Sequence, residues 1–203
     1  MIKTVVFDLG KVLVDFDYGI AARKIAARCT ISTTELNLLT SHSPLLCQYE
    51  TGLLSTPEFY AQVCSQTGFL GDLDEFGLYF ADIFVPVKSM VELHAELRRR
   101  GLRTYIFSNT NELAVRHIRK SFPFFSTFDA LILSYEHRAM KPDPRLYEVL
   151  ERKSGFRGEE ILYLDDRPEN LAAGAARGWQ VILHETPEKS RVAVERLGLL
   201  NHR

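Results

Sequence analysis

Five short apolar runs punctuate the chain. Residues 2–8 form the first, brief and rich in β-branched side chains, which is the pattern of a parallel strand buried on both faces. Similar runs recur at 103–107, 130–133, 161–165 and 179–183. Between them the spacing of apolar residues becomes helical. Met90, Leu93 and Leu97 share one face before Gly101, which predicts a helix stopped at that glycine. Leu113, His117 and Ile118 repeat the pattern after the second run. Leu146, Val149 and Leu150 repeat it between Pro144 and Gly155. Residues 171–177 are nearly all Ala and Gly, suited to close helix-on-sheet packing, and Gly178 stops them. This alternation predicts an α/β fold: a doubly wound, parallel, five-stranded Rossmann-like sheet.

The stretch from Tyr18 to Phe84 breaks the alternation and shows no convincing strand. Ser32-Thr33-Thr34-Glu35 and Ser55-Thr56-Pro57-Glu58 each have the form of a capping box that opens a helix. Gly52 and Gly68 punctuate the segment. These signals predict an inserted all-helical cap over residues 17–85, with residues 1–16 and 86–203 forming the Rossmann-like core.

Composition narrows the class. The chain has 203 residues, 46% of them hydrophobic, enough for a sizeable core. Its net charge is -1, from 25 basic and 26 acidic residues, which gives no footprint for nucleic acid or an anionic membrane. The dense basic run Arg98-Arg99-Arg100 precedes Gly101, where cations complement a helix C-terminus. No charged-then-apolar leader pattern and no membrane-length apolar stretch is present. Cys29, Cys47 and Cys64 are odd in number and widely spaced, matching neither a disulfide framework nor a metal knuckle, so a reducing cytoplasm is expected. The histidines, His42 and His202 included, show no ligand spacing. His94 and His117 fall in helical patterns as surface or core residues, and Trp179 reads as core.

In an open α/β sheet, ligands bind beyond the carboxyl ends of the strands. Four polar groups fall at that edge: Asp8 after the first strand, Ser108-Asn109-Thr110 after the second, Lys141 in a loop, and Asp165-Asp166 after the fourth. Each alone has an ordinary reading as a turn, a helix cap or a solvated loop residue. The adjacent aspartates are harder to dismiss, because their mutual repulsion is unfavourable without a cation or hydrogen bonds. Together the groups suit phosphoryl transfer. A carboxylate can attack phosphorus, magnesium prefers carboxylate oxygens and water, helix N-termini hold phosphate, and a lysine offsets transition-state charge.

The chain resembles the haloacid dehalogenase (HAD)-like hydrolases with a helical cap inserted after the first strand. The resemblance implies Asp8 as nucleophile, Ser108, Asn109 and Lys141 as phosphate-binding groups, and Asp8, the Gly10 carbonyl and Asp166 as magnesium ligands. Asn170 falls at the position of a later acidic residue, with Asp165 secondary. Asp-Leu-Gly-x-Val, Val-Asp-x-Asp, Ser-Asn-Thr-Asn and Asp-Asp are similar to the pattern of bacterial α-glucose-1-phosphate phosphatases. Many phosphatases of the family carry a second aspartate two residues after the nucleophile, as acid–base partner. Here Gly10 stands there.

A well-placed general acid contributes about 10²–10⁴-fold, so the gap matters. A metal-independent 2-haloacid dehalogenase would need no acid, because chloride leaves without a proton, but its Asp165-Asp166 pair would be unexplained. A silent relative could bind a phosphorylated ligand without turnover. A working phosphatase could use a good leaving group or borrow a proton from elsewhere. Asp15 and Asp17 are nearest in sequence for that, although either could instead cap a helix near Tyr18. Arg167 could touch substrate or offset the acidic pair. A receiver domain fails on the order of its motifs and on the insertion. The expected function is therefore a cytoplasmic, Mg²⁺-dependent phosphomonoesterase acting through an aspartyl-phosphate. Its substrate would be a small phosphorylated metabolite such as a sugar phosphate, and the protein a monomer or homodimer.

Overall fold

Period-two alternation along the strands sets the layering of the molecule. The structure, a computed structural model, describes residues 1–40 and 43–200; His42 and His202 lie outside them. In chain order the elements begin with β1 (Thr4–Phe7), β2 (Val14–Phe16) and the helices α1 (Tyr18–Ala26), α2 (Thr33–Thr40), α3 (Pro44–Glu50), α4 (Thr56–Thr67) and α5 (Leu73–Ala81). They continue with β3 (Phe84–Pro86), α6 (Lys88–Arg99), β4 (Arg103–Ser108), α7 (Glu112–Ser121), β5 (Ala130–Leu133), α8 (Ser134–His137) and α9 (Pro144–Ser154). The chain closes with β6 (Ile161–Asp165), α10 (Pro168–Ala175), β7 (Gln180–Leu183) and α11 (Pro187–Arg196).

Five strands form a parallel sheet in the order β5-β4-β1-β6-β7. Val5, Phe7, Ile106, Leu162 and Leu164 face one side and pack with Met90, Leu93 and Leu97 of α6 and with Val115 and Ile118 of α7. Val6, Tyr105, Phe107 and Tyr163 face the other, against Leu146 and Leu150 of α9, Leu171 of α10, and Trp179. Neighbouring residues thus enter opposite cores, as strand geometry requires. His94 is one of the core residues: it stacks on Phe128 at 3.8 Å, bonds Thr104 Oγ1 at 3.0 Å, and burial pushes its pKa down to about 4.

The chain runs from β1 to β4 and β5 on one side, then crosses to β6 and β7 on the other. This reversal places the carboxyl ends of β1, β4 and β6 around one crevice, the topological switch point where ligands bind.

The insertion has its own apolar cluster. Ile25, Tyr49, Phe59, Val63, Phe76 and Phe80 from α1, α3, α4 and α5 pack together, joined by Leu113 from α7. Truncating one of these buried rings to alanine would cost about 3–5 kcal/mol. Both expected capping boxes form. The Ser32 and Ser55 amides donate to Glu35 and Glu58 at 2.9 and 2.8 Å, and the glutamate amides donate back to the serine hydroxyls.

One expectation needs correction. The stretch expected to lack strands ends in one: β3 begins at Phe84 and pairs antiparallel with β2, which lies just before the insertion, with Val14 opposite Pro86, Asp15 opposite Val85 and Phe16 opposite Phe84. Three residues are too few for a readable period. The ribbon exists because the chain leaving the sheet and the chain returning to it run side by side. Among the described residues no helix is long and apolar enough to cross a membrane, and Cys29, Cys47 and Cys64 are free thiols.

Candidate active site

Asp8 follows β1, Asp165 ends β6, and Lys141 enters between them from the loop before α9. Lys141 Nζ lies 3.0 Å from Asp8 Oδ1 and 2.6 Å from Asp165 Oδ2, and it donates to the Phe107 carbonyl at 2.8 Å. All three residues are buried. The Lys141 backbone is clamped by Asn109, whose side-chain oxygen accepts from Lys141 N at 2.7 Å and whose Nδ2 donates to Lys141 O at 2.9 Å. Asn109 therefore sets where the ammonium sits.

The two adjacent aspartates have different surroundings. Asp165 accepts from Lys141, the Tyr163 hydroxyl, Asn170 Nδ2 at 3.0 Å and the Arg167 amide at 2.8 Å. Its oxygens are taken, and it works as the post that fixes Lys141. Asp166 is only half-buried and lines the cavity. Both hydrogen bonds to Asp8, from Leu9 N at 2.7 Å and from Lys141, fall on Oδ1 and leave Oδ2 outside them.

Ligand atoms of Asp8, Asp165 and Asp166 come within 4.8 Å of one another. Three carboxyl groups gathered around one buried ammonium leave the cluster short of positive charge. Burial pushes Asp8 up to about 7 against the pull of Lys141, with Asp165 adding to the rise. Asp166 is raised by burial and by Asp165. Lys141 is raised because its carboxylate partners outweigh burial. A hard divalent cation with oxygen ligands fits this donor set in both charge and chemistry.

These groups open into a cavity of about 530 Å³. The core side supplies Asp8, Gly10, Asn109, Lys141, Asp166 and Asn170. The insertion supplies Tyr18, Leu46, Cys47 and Glu50. Ser108 is buried at the end of β4, its hydroxyl 3.3 Å from the Asn109 carbonyl, and is not among the cavity-lining residues. Asn170 is buried and serves as a donor to Asp165. Arg167 lines the cavity and pairs with Glu169 at 2.7 Å, and its charge favours the Asp166 carboxylate.

Asp15 does not belong to the site. Its side chain is 66% exposed and pairs with Lys11 at 2.5 Å, because β2 pairing turns position 15 to solvent. Asp17 caps α1 by accepting from Gly19 N at 2.7 Å. The residue that the sequence did not reveal is Glu50. It lies in Gln48-Tyr49-Glu50-Thr51, with no motif around it, and only the docking of α3 brings it to the cavity.

Sheet, insertion and acidic cluster define a doubly wound α/β protein whose site is roofed by a helical segment. The chain belongs to the haloacid dehalogenase-like hydrolases: that family's model matches residues 2–178. Curated relatives include a D-ribitol-5-phosphate phosphatase of Bacteroides thetaiotaomicron, 26% identical over 91% of this chain and 93% of that one. A sesquiterpene phosphatase of Aspergillus oryzae is also 26% identical, over 91% and 90%. Among solved structures, a HAD-family enzyme of B. thetaiotaomicron, in complex with magnesium and inorganic phosphate, superposes with a TM-score of 0.78. It shares 22% identity and covers 90% of this chain and 94% of its own. The L-2-haloacid dehalogenase of Xanthobacter autotrophicus superposes less closely, at 0.66 and 20% identity, over 98% and 83%. At these identities the structural likenesses establish the fold.

Proposed function

We propose that this hydrolase is a magnesium-dependent phosphomonoesterase acting on a small phosphorylated metabolite. The observation that carries the reading is the buried Asp8–Lys141–Asp165 arrangement with Asp166 beside it, facing a cavity walled by core and insertion. A polyol ester is the named substrate of one full-length relative, which favours a sugar or polyol phosphate here. We place the protein in the cytoplasm, as a monomer or homodimer. We divide it into a core of residues 1–16 and 86–203 and a cap of residues 17–85.

Asp8, the Gly10 carbonyl and Asp166 are the proposed ligands of the magnesium ion. Bound there, it supplies positive charge between the Asp8 carboxylate and the anionic phosphate. Asp8 attacks phosphorus in line and forms an aspartyl-phosphate. Lys141, held by Asp165 and by Asn109, meets the charge that develops on the phosphoryl oxygens. The Asn109 backbone completes the phosphate cradle, and the proposed phosphate contact of Ser108 requires its hydroxyl to turn from the Asn109 carbonyl toward the cavity. The cap keeps bulk water from the intermediate and selects the leaving group. Water then hydrolyses the aspartyl-phosphate.

The test is phosphate release from a panel of phosphate esters. The wild type should turn over with magnesium and stop in EDTA. Asp8→Asn should lower kcat by at least about 10³-fold with an unchanged melting curve. Unchanged turnover in Asp8→Asn sinks the mechanism. Chloride release from a 2-haloacid in EDTA would identify a dehalogenase instead. Ligand-induced stabilisation without turnover would identify a binding protein.

A further inference from the structure

Gly10 removes the usual source of a catalytic proton, and the structure shows that its place has been filled. A Cβ at position 10 would lie 2.9 Å from Cε1 of Phe16, so the ring occupies the space where a side chain would start. The Lys11 ammonium covers that ring at 4.6 Å and is tied to Asp15 and to the Phe16 carbonyl at 2.8 Å. If this protein delivers a proton, the donor stands elsewhere on the cavity wall.

In an in-line displacement the leaving oxygen departs on the side of phosphorus opposite Asp8, toward the cap. Among the described residues the titratable groups on that side are few. Tyr18 is held far above its ordinary range by burial and by Glu50, so it remains a reluctant acid. The Cys47 thiol contacts Met140 Sδ at 3.8 Å. Arg167 is engaged with Glu169 at 2.7 Å. Glu50 remains.

We propose that Glu50 is the general acid–base of this site, supplying the proton that position 10 cannot. The inference rests on the phosphomonoesterase reading. Geometry supports it first. Glu50 lies on the cavity wall with Asp8, Lys141 and Asp166. Its backbone carbonyl accepts from Ser134 Oγ at 2.5 Å, which ties the end of α3 to the core. Two residues on, Gly52 has φ +73°, and a Cβ there would sit 2.1 Å from the Tyr135 carbonyl oxygen. Only glycine allows that approach. The Tyr49 hydroxyl is bonded by Leu113 N at 3.2 Å. The end of α3 that carries Glu50 is therefore fixed against Leu113, Ser134 and Tyr135.

Its protonation is suited to the task. Burial pushes Glu50 up to about 7, against hydrogen bonds from Tyr18 on α1 and Asn111 before α7 and the charge of Arg167 after β6. Among the described residues these are the polar and charged groups that act on it. A carboxyl near neutrality can both give and accept a proton at working pH.

As the bond from Asp8 to phosphorus forms and the ester bond breaks, the Glu50 carboxylic acid protonates the departing oxygen, which leaves as an alcohol. Water enters the vacated side. The Glu50 carboxylate takes a proton from it as its oxygen bonds to phosphorus. The bond to Asp8 then breaks, returning the Asp8 carboxylate, protonated Glu50 and inorganic phosphate.

The experiment is rapid-mixing kinetics of wild type, Glu50→Gln and Glu50→Asp with magnesium, using p-nitrophenyl phosphate and ribitol 5-phosphate. In Glu50→Gln, phosphorylation of Asp8 by ribitol 5-phosphate should slow about 10²–10⁴-fold. p-Nitrophenol, which leaves without assistance, should still appear in a burst near one equivalent, at a rate within about tenfold of wild type. Slow turnover should follow, because water activation is also impaired. Glu50→Asp should recover part of the loss. With ribitol 5-phosphate the wild-type phosphorylation rate should fall above pH 7, and the variant's should not. An equal loss with both substrates, or no loss with either, overturns the assignment of Glu50. A wild type inactive toward both overturns the phosphatase reading itself, and the assignment with it.

Discussion

On the core wall of the cavity, Asp165 accepts from Lys141, Tyr163, Asn170 and the Arg167 amide, and Lys141 spends its donors on Asp8, Asp165 and the Phe107 carbonyl. On the cap wall, Glu50 meets the Tyr18 hydroxyl at 3.4 Å and an Asn111 side chain, with Arg167 farther off. Both walls withdraw carboxyl groups from water, Asp165 fully and Glu50 in part. The core surrounds Asp165 with so many donors that it stays ionised, below its ordinary value. The cap gives Glu50 so few that it is pushed up to about 7. Saturated charge holds position, whereas under-solvated charge trades protons. The division matches the two tasks of an in-line displacement, with the nucleophile and phosphate cradle on one side and the leaving group on the other.

The strongest way to break this comparison is Lys141→Met. The lysine side chain is 1% exposed and is the cation shared by two buried carboxylates. Its loss leaves them facing one another uncompensated, which should cost about 3–5 kcal/mol of stability. Phosphate release should drop by at least about 10³-fold. Urea titration measures the first effect and steady-state assay the second. A variant as stable as wild type would mean that the core wall is not balanced by this charge.

These two walls were unequally legible in the sequence. Asp8, Lys141 and Asp165-Asp166 stand at ends of apolar runs or in the loops beyond, and parallel-sheet topology alone brings such positions together. The five strands were legible for the same reason: each is a short, mainly apolar local run bounded by helical periods. The ribbon of β2 and β3 was not, because three-residue strands have no period and their pairing spans the whole insertion. Glu50 left no trace, since its role depends on where a seven-residue helix docks. Asp15 misled because proximity in sequence to Gly10 says nothing about facing, which β-pairing reversed. The division of labour between Asp165 and Asp166 was legible only in outline. Their neighbours in space, Tyr163, Asn170 and Lys141, decide which one is already satisfied.

The next effect has the opposite sign. Glu50 has a folded-state pKa raised from 4.5 to about 7, so the folded protein binds this proton more tightly than the unfolded chain. Below pH 4.5 both states hold the proton and no penalty exists. Between pH 4.5 and 7 the unfolded chain releases it first, and wild-type stability falls relative to a neutral side chain; above pH 7 the deficit is constant. Glu50→Gln should therefore be more stable than wild type at pH 8, by about 3 kcal/mol, and lose that advantage near pH 4.5. Paired urea melts at the two pH values check it. A variant destabilised at pH 8 would show that the Glu50 carboxylate is a structural anchor, and the contrast with Asp165 would fail.

The smallest expected effect sharpens the comparison most. Asp15 offered the first carboxylate after Gly10 in sequence, and the Lys11 pair holds it below its ordinary value, first through that hydrogen bond and then through the Phe16 amide. A carboxyl lowered in this way is ionised throughout the working range and cannot deliver a proton near pH 7. It is also two-thirds exposed, so its ion pair contributes little. Asp15→Asn should leave stability within about 0.5 kcal/mol of wild type and kcat within about twofold. The alkaline fall of the phosphorylation rate should persist unchanged, since the titrating group sits across the cavity on α3. Loss of that limb in Asp15→Asn, with Glu50→Gln retaining it, would move the acid from the cap wall to the core-side ribbon. The shielding of Phe16 by Lys11 would then need another explanation, because the lysine would be restraining a proton donor rather than closing the space beside Gly10.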